Sequence, residues 1–379
     1  MFWILIGAFA CSALAMFVVV GSAHRHAHWS ADHDLSGPQK MHVKVVPRVG
    51  GVGILAGIVT GALLAAWFRD DLRSDMLLLL VCAMPAFVSG IWEDFTKAIS
   101  PRRRMVALAL SGLLGVVLLG GKFTHLGWTD LDHLMISHGM LWVGTVGAVF
   151  AVTGVSNSVN IIDGMNGLAS MCSAMSCLAL AYVAWRVGDD FICGVALSTV
   201  GATLGFFVWN YPRGLVFLGD GGAYLLGFVV AELGILLTTR HPEVSMLAPL
   251  LLVAYPVFET LFSMYRRRVL QQRPMMQPDG IHLHTLIYRR LKRGTVDAAG
   301  VRGSTRGNSG TSPYLWLLNA VAVIPVVVWW NDSLVLALSL AIFVMIYLDL
   351  YWRIVTFRSP DWIVSRPQPA PSVEHLNKS

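Results

Sequence analysis

Long apolar runs alternate with short polar clusters along most of this chain. A stretch of about 20 mainly apolar residues is long enough to cross a bilayer as a helix, and about eleven stretches qualify. They are 1–20, 50–67, 76–92, 105–120, 140–157, 168–186, 191–208, 222–238, 246–264, 314–330 and 333–351. A segment in lipid must satisfy its own backbone hydrogen bonds, so each run predicts a helix. The fold class is therefore an all-α polytopic membrane protein. The opening run, MFWILIGAFACSALAMFVVV, lacks a basic leader and is too long for the core of a signal peptide. It reads as a retained first span.

Composition agrees with that pattern. Of 379 residues, 55% are hydrophobic and 13% are charged, with a mean hydropathy of +0.63. Soluble domains carry about 25% charged residues, so water is not the solvent for most of this surface. The net charge of +6 reports orientation rather than nucleic-acid binding, because Lys and Arg gather in cytoplasmic loops. With the N-terminus outside and the spans alternating, only Arg69, Arg73, Lys122, Arg186 and Arg240 fall outside, and the other 23 Lys and Arg fall inside. This predicts a periplasmic N-terminus and a cytoplasmic C-terminus. It also predicts one catalytic transmembrane domain over 1–351, a cytoplasmic loop over 266–312 and a cytoplasmic tail over 352–379. The Gly-, Ser- and Thr-rich stretch Gly294 to Ser312 reads as flexible. All five cysteines sit in apolar stretches without metal-ligand spacing and read as small buried hydrophobes.

Five polar clusters then fall on the predicted cytoplasmic side. In the first, His42, Pro47, Arg48, Gly50 and Gly51 lead into a span, where amides at a helix start suit an anion. Basic residues reaching back to the interface are the simpler alternative. The second, Glu93-Asp94 followed by Lys97, closes a span; adjacent carboxylates there repel and are costly to desolvate. A divalent cation or a solvated helix end relieves this equally well. In the third, Asn157, Asn160 and Asp163 are spaced three apart and share one helical stripe, before Gly164, Asn166 and Gly167 break the helix. Such a stripe suits a nucleobase edge, a metal or a polar seam between helices. The fourth, Phe217-Leu-Gly-Asp220-Gly-Gly, offers an unhindered carboxylate at a helix start, as a metal ligand, an N-cap or both. The fifth pairs His282 and His284, two apart and so off a common helix face, ahead of a basic amphipathic stretch suited to a lipid surface or to phosphate.

HVKVVPRVGG, EDFTK, NSVNIIDGMNGL, FLGDGG and HLH, in this order from His42 to Arg293, resemble the polyprenyl-phosphate N-acetylhexosamine-1-phosphate transferase family. The eleven-span topology matches that family too. The resemblance implies transfer of a sugar-1-phosphate, with GlcNAc-1-phosphate as the default, from a UDP-sugar to undecaprenyl phosphate with release of UMP. The setting implied is the bacterial inner membrane, with the site facing the cytoplasm. The partners implied are the UDP-sugar, the lipid phosphate and membrane lipid, with room for a homodimer. The cofactor implied is Mg²⁺, or Mn²⁺ in its place. By motif, Asp94 would engage the polyprenyl phosphate as a base, with Glu93 beside it. Asp220, Asp163 and Asn166 would hold the metal. Asn157, Asn160 and Asn166 would meet the nucleoside, and Phe217 would stack on uracil. His282 and His284 would hold phosphate or sugar, and His42, Arg48 and Lys97 would bind substrate. Two positions depart from the family pattern: Glu93 stands where most members have Asp, and Asn166 where many bacterial members have a second Asp. HLH lacks the third consecutive His of the peptidoglycan branch, which points to an O-antigen or teichoic-type pathway.

A transporter is the alternative from another class, since transporters place ionisable groups near the bilayer midplane. The site carboxylates above lie at span ends instead. Glu232, deep in an apolar run, is the exception and calls for an internal partner.

Overall fold

The computed structural model describes residues 1–24, 46–125, 127, 141–272, 280–293 and 300–356. His42 and Asp279, and the tail beyond 356, lie outside the described residues. Among the described residues the chain is helical, without a β-sheet. Nine helices among the described residues are long and apolar enough to cross a membrane.

Helix α1 (Phe2–Gly21) carries no charged side chain and packs with α2 (Gly50–Phe68). Helix α3 (Arg73–Thr96) is followed by α4 (Pro101–Leu114), which packs against it and against α5 (Leu141–Ile162). Next come α6 (Leu168–Val187) and α7 (Asp190–Asn210), the latter covering α1, α2 and α6. Helix α8 (Gly219–Arg240) runs through the middle, against α2, α3 and α5, and every residue from Gly219 to Thr238 is buried. The short α9 (Leu247–Leu252) and α10 (Ala254–Tyr265) precede α11 (Leu283–Arg293), α12 (Gly300–Trp329) and α13 (Ser333–Val355). Helix α11 packs on α12, and α12 on α6 and α13. Helix starts follow local chemistry. Ser100 accepts from the Arg103 amide with Pro101 in the first turn, Asp189 accepts from Ile192, and Asp332 accepts from Leu334 and Val335.

Three expectations change. The run 105–120 is α4 followed by a π-helical turn, Gly115–Leu119, and is not one of the nine. The run 246–264 breaks at Val253, where the chain leaves α9, and the helix restarts at Ala254, two residues before Pro256. Proline lacks an amide, so it is tolerated in the first turn of the new helix and disfavoured in a continuous one. The stretch read as flexible from Gly294 to Ser312 is helical from Gly300 onward. Gly and Ser are weak helix formers, but Asn308, Ser309 and Ser312 find hydrogen-bond partners on the loop after α5 and near Pro212. Tertiary contacts thus override local propensity.

Close backbone approach sets the centre of the bundle. A Cβ added at Gly51 would lie 2.4 Å from the Gly222 nitrogen, and one at Gly90 would lie 2.4 Å from the Gly221 nitrogen. The starts of α2 and α8 and the end of α3 therefore meet through glycine alone. Farther along α8, the Glu232 carboxylate is fully buried, with no hydrogen-bond partner on either oxygen among the described residues. It fills the space beside Gly115 and Gly121, where an added Cβ would come within 2.4 and 2.3 Å of its oxygens. The internal partner expected for Glu232 is not found among the described residues; backbone of the π-helical turn surrounds it instead.

Gly90→Ala is expected to destabilise the protein by about 1–3 kcal/mol, because the obstructing atoms are backbone and cannot rotate away. Glu232→Met should act oppositely, raising stability by about 1–3 kcal/mol as the desolvation cost of the unpartnered carboxylate disappears. Thermal unfolding midpoints in neutral detergent check both, and a stabilised Gly90→Ala or a destabilised Glu232→Met would contradict the packing described.

Candidate active site

The first and fourth motifs are joined by their backbones. The Phe217 amide donates to the Pro47 carbonyl at 2.8 Å, Gly50 to Phe217 at 2.9 Å and Gly51 to Leu218 at 3.0 Å. This pairing brings Arg48 beside the start of α8. Gly219, at φ +75°, turns the chain into the helix. A helix start leaves amides without intrahelical acceptors, and carboxylate oxygens supply them. Asp94, from the end of α3, accepts the Asp220 amide on one oxygen and the Gly221 amide on the other, both at 3.0 Å. Asp163, just beyond α5, lies close enough to Gly219 to feel its amide.

With its backbone held, Asp220 presents its side chain sideways. Oδ1 accepts from Asn160 Nδ2 at 2.9 Å and from Arg48 Nη2 at 3.2 Å. Oδ2 lies 3.6 Å from an Arg104 nitrogen of α4, and Arg48 Nε lies 3.6 Å from Asp94 Oδ1. Three carboxylates and two guanidinium groups thus share one crevice at the meeting of α2, α3, α4, α5 and α8. Loss of water pushes the Asp163 carboxyl well above the usual carboxylate range; Arg48 opposes that rise, and Asp220 and Asp94 add to it.

The predicted residues do not all converge. Arg48, Asp94, Asn160, Asp163 and Asp220 do, with Phe217 adjacent through its backbone. Asp94 also holds the helix: its side chain is 1% exposed and both oxygens accept amides at the start of α8. Glu93 points away and accepts the Ile99 amide at 2.8 Å, closing the loop after α3. Lys97 sits at the left-handed end of that helix, exposed. Asn157 lies a turn inside α5, half-buried. Asn166 is turned toward α12 instead of joining the carboxylates: its Nδ2 donates to the Pro212 carbonyl and to Ser309 Oγ, and its amide donates to Asn308 Oδ1.

His282 and His284 were expected off a common face, yet their rings stack at 5.3 Å with planes 6° apart, because His282 precedes α11 while His284 is inside it. A Cβ on Gly164 would lie 2.7 Å from His284 Nε2, which places this histidine beside the Asp163 turn. His282 Nδ1 is 3.0 Å from Glu259 Oε1, which also accepts the Leu283 amide; Glu259 Oε2 accepts from Tyr347 Oη at 2.8 Å.

Sequence reasoning missed four residues that shape this region. Arg104 was read only as interfacial charge. Glu259 sits in an apolar run, where a buried acid should have prompted a search for its partner. Asn210 accepts the Gly167 amide at 2.6 Å and donates to the Val216 carbonyl at 2.7 Å, tying two motif loops together. Asn308 lies in the stretch read as flexible.

Among the described residues, no group of three or more His, Cys, Asp or Glu side chains is placed to hold a metal ion. Mg²⁺, however, takes one or two carboxylates and fills its remaining positions with water and substrate phosphate. The hard oxygens of Asp220 and Asp163 fit that need, and two guanidinium groups already sit against Asp220 where positive charge is favoured.

The model of glycosyl transferase family 4 matches residues 76–238. A probable undecaprenyl-phosphate N-acetylglucosaminyl 1-phosphate transferase of Bacillus subtilis is 27% identical over 278 residues, covering 73% of this chain and 75% of the relative. An undecaprenyl-phosphate alpha-N-acetylglucosaminyl 1-phosphate transferase of Escherichia coli K12 is 28% identical over 262 residues, covering 66% and 67%. A phospho-N-acetylmuramoyl-pentapeptide-transferase of Halalkalibacterium halodurans is 29% identical over 200 residues, covering 50% and 60%.

The geometry separates a structural carboxylate from an available one. Asp94→Asn would place a donor against an amide donor at the start of α8 and is expected to lower stability by about 1–3 kcal/mol. Asp220→Asn should lower the unfolding midpoint less, since its backbone stays held and the amide keeps one oxygen for Asn160 and Arg48. Equal midpoints for the two variants would argue against the capping role of Asp94.

Proposed function

We propose that this chain, which matches the model of glycosyl transferase family 4 over residues 76–238, transfers a sugar-1-phosphate, with GlcNAc-1-phosphate first among the candidates, from a UDP-sugar to undecaprenyl phosphate. The observation that carries this reading is the convergence of Asp220, Asp163, Asn160, Arg48 and Arg104 at the start of α8. A phosphoryl transfer needs positioning and charge neutralisation more than covalent help.

In the reaction, an oxygen of the lipid phosphate attacks the β-phosphorus of the UDP-sugar. The bond from that phosphorus to the bridging oxygen breaks, and UMP leaves with the bridging oxygen. Arg48 and Arg104 meet phosphate charge, and Asn160 keeps Asp220 oriented. Asp94 acts one step removed, by fixing the α8 amides. Phe217 would stack on uracil, and His284, beside the Asp163 turn, would donate to phosphate or sugar. Asp220 and Asp163 would hold Mg²⁺, which when bound supplies neutralisation of the diphosphate charge. The group is preorganised, so little rearrangement is needed as charge moves.

The finer placement follows from the charge pattern: about eleven spans, the N-terminus periplasmic, and the site on the cytoplasmic side of a bacterial inner membrane. The HLH pattern supports the first step of an O-antigen-like or teichoic-type polysaccharide. A transporter fits less well, because Glu232, the carboxylate deep in the bundle, is fully buried against Gly115 and Gly121.

Purified protein with UDP-GlcNAc and undecaprenyl phosphate should release UMP, and EDTA should abolish the release until Mg²⁺ is restored. Asp220→Asn is expected to lower turnover by about 10²–10³, the scale seen when one preorganised charge-stabilising group is lost. UMP release in EDTA at the full rate would remove the metal from the proposal, and normal turnover of Asp220→Asn would remove Asp220. Single cysteines at positions 70 and 243 should be labelled from the periplasm, while cysteines at 99 and 213 should not; the reverse pattern would invert the orientation.

A further inference from the structure

Asp163 opens the turn that joins α5 to α6, and the turn continues through Asn166 and Gly167. All four backbone polar groups of Asn166 and Gly167 are met by side chains from distant parts of the chain. The Asn166 amide donates to Asn308 Oδ1 at 2.8 Å, and its carbonyl accepts from Ser312 Oγ at 2.6 Å. The Gly167 amide donates to Asn210 Oδ1 at 2.6 Å, and its carbonyl accepts from Trp316 Nε1 at 3.1 Å. Asn308, Ser312 and Trp316 are spaced four apart in α12 and so present one face of that helix. The Asn166 side chain joins in, donating to the Pro212 carbonyl, which also accepts from Ser309 Oγ. Asn210 in turn donates to the Val216 carbonyl, four residues before Asp220. One face of α12 thus grips the turn three residues beyond Asp163, and the same turn is tied to the loop that leads to Asp220.

Packing alone asks for less than this. An apolar helix face would cover the turn equally well, but it would leave buried backbone groups bare, which is costly. Here each donor meets an acceptor, and the turn is left one position to occupy. Position matters for Asp163, because a displacement of about 1 Å at a reacting site can cost about 10² in rate. We infer that Asn308, Ser312 and Trp316 form a positioning clasp that holds the DGMNG turn so that Asp163 stays in the crevice near Asp220 and Arg48. The clasp gives Asn166 a task of its own: its side-chain amide supplies a proton to the Pro212 carbonyl, which an Asp carboxylate there would lack. The effect of the clasp on turnover rests on the functional reading above; its effect on the turn does not.

In the full-length protein, Asn308→Ala should lower kcat for UMP release by about tenfold, with KM for UDP-GlcNAc within about twofold of wild type. Hydrogen exchange followed by mass spectrometry should quicken by about tenfold in peptides covering 163–168. Ser312→Ala frees the same turn from its carbonyl side and should behave alike, which decides the matter if Asn308→Ala does not purify folded. Ser245→Ala removes a buried hydrogen bond to Ser333 between the loop before α9 and the start of α13. It should lower the unfolding midpoint while leaving kcat and exchange at 163–168 unchanged. Unaltered exchange at 163–168 in Asn308→Ala and Ser312→Ala would sink the clasp. Faster exchange with normal kcat, or a kcat loss matched by Ser245→Ala, would overturn its positioning role. Absence of UMP release by the wild-type protein would instead defeat the functional reading, and the exchange result would still decide the clasp.

Discussion

A helix that begins inside a lipid-embedded bundle presents amides that no bulk water can satisfy, and each would cost free energy if left bare. Helix α8 begins in that position. Its Asp220 and Gly221 amides are taken by the two oxygens of Asp94, and Asp163 lies near the amide of Gly219. The positive end of the helix dipole favours both carboxylates where they stand. Much else follows from this one arrangement. Asp94 can reach only if α3 passes close to α8, and Gly90 and Gly221 permit that approach. Asp163 can reach only if α5 stops there, which the glycines of the DGMNG turn enforce. Once the backbone is held, Asp220 is free to aim its carboxylate away from the helix axis. The feature that solves a folding problem is thus also the feature that places the chemistry.

Charge balance completes the arrangement. Three carboxylates in one crevice repel one another, and one of them already serves the helix start. Arg48 stands between Asp94 and Asp220, and Arg104 approaches from the other side. These guanidinium groups belong to segments far apart in sequence, so the crevice also fastens α4 and the lead-in to α2 onto α8. Interactions of this kind gain strength in a low-dielectric interior, and for the same reason an unmatched member would be costly. Glu232 illustrates the contrast on the same helix: it has packing without partners among the described residues, and nothing in the proposed chemistry uses it.

The sequence made the architecture legible because lipid imposes a simple code, long apolar runs for helices and Lys and Arg for loops. It was less informative where helices are short or interrupted. Pro256 and the π-helical turn at Gly115–Leu119 divide runs that hydropathy reads as continuous. It misled at Gly300 to Ser312, where composition suggests flexibility and contacts with Asn166 and Pro212 impose a helix. At the site, the motifs announced which residues belong together, but not which atoms they address. Periodicity placed Asn157, Asn160 and Asp163 on one stripe without saying that Asn160 meets Asp220 while Asn157 stays behind. Glu259 escaped notice because a lone acid in an apolar run has no local signature; its partners lie 23 and 88 residues away.

The adjacent pair Glu93 and Asp94 shows how far side-chain length alone can be argued. Successive helical residues point about 100° apart, so the two carboxylates were bound to face different surroundings. Asp94 meets two amides on a neighbouring helix held at glycine distance, and a longer side chain there would have to buckle. Glu93 instead reaches forward to the Ile99 amide, past the left-handed turn at Lys97, and there the extra methylene supplies reach. The departure from the family pattern at Glu93 therefore falls where the structure needs span rather than fit. The position where fit is demanded keeps the shorter acid. Both residues hold backbone in place, one for a loop and one for a helix. That leaves Asp220, whose own backbone is held by its neighbour's carboxylate, as the acid turned toward whatever charge enters the crevice.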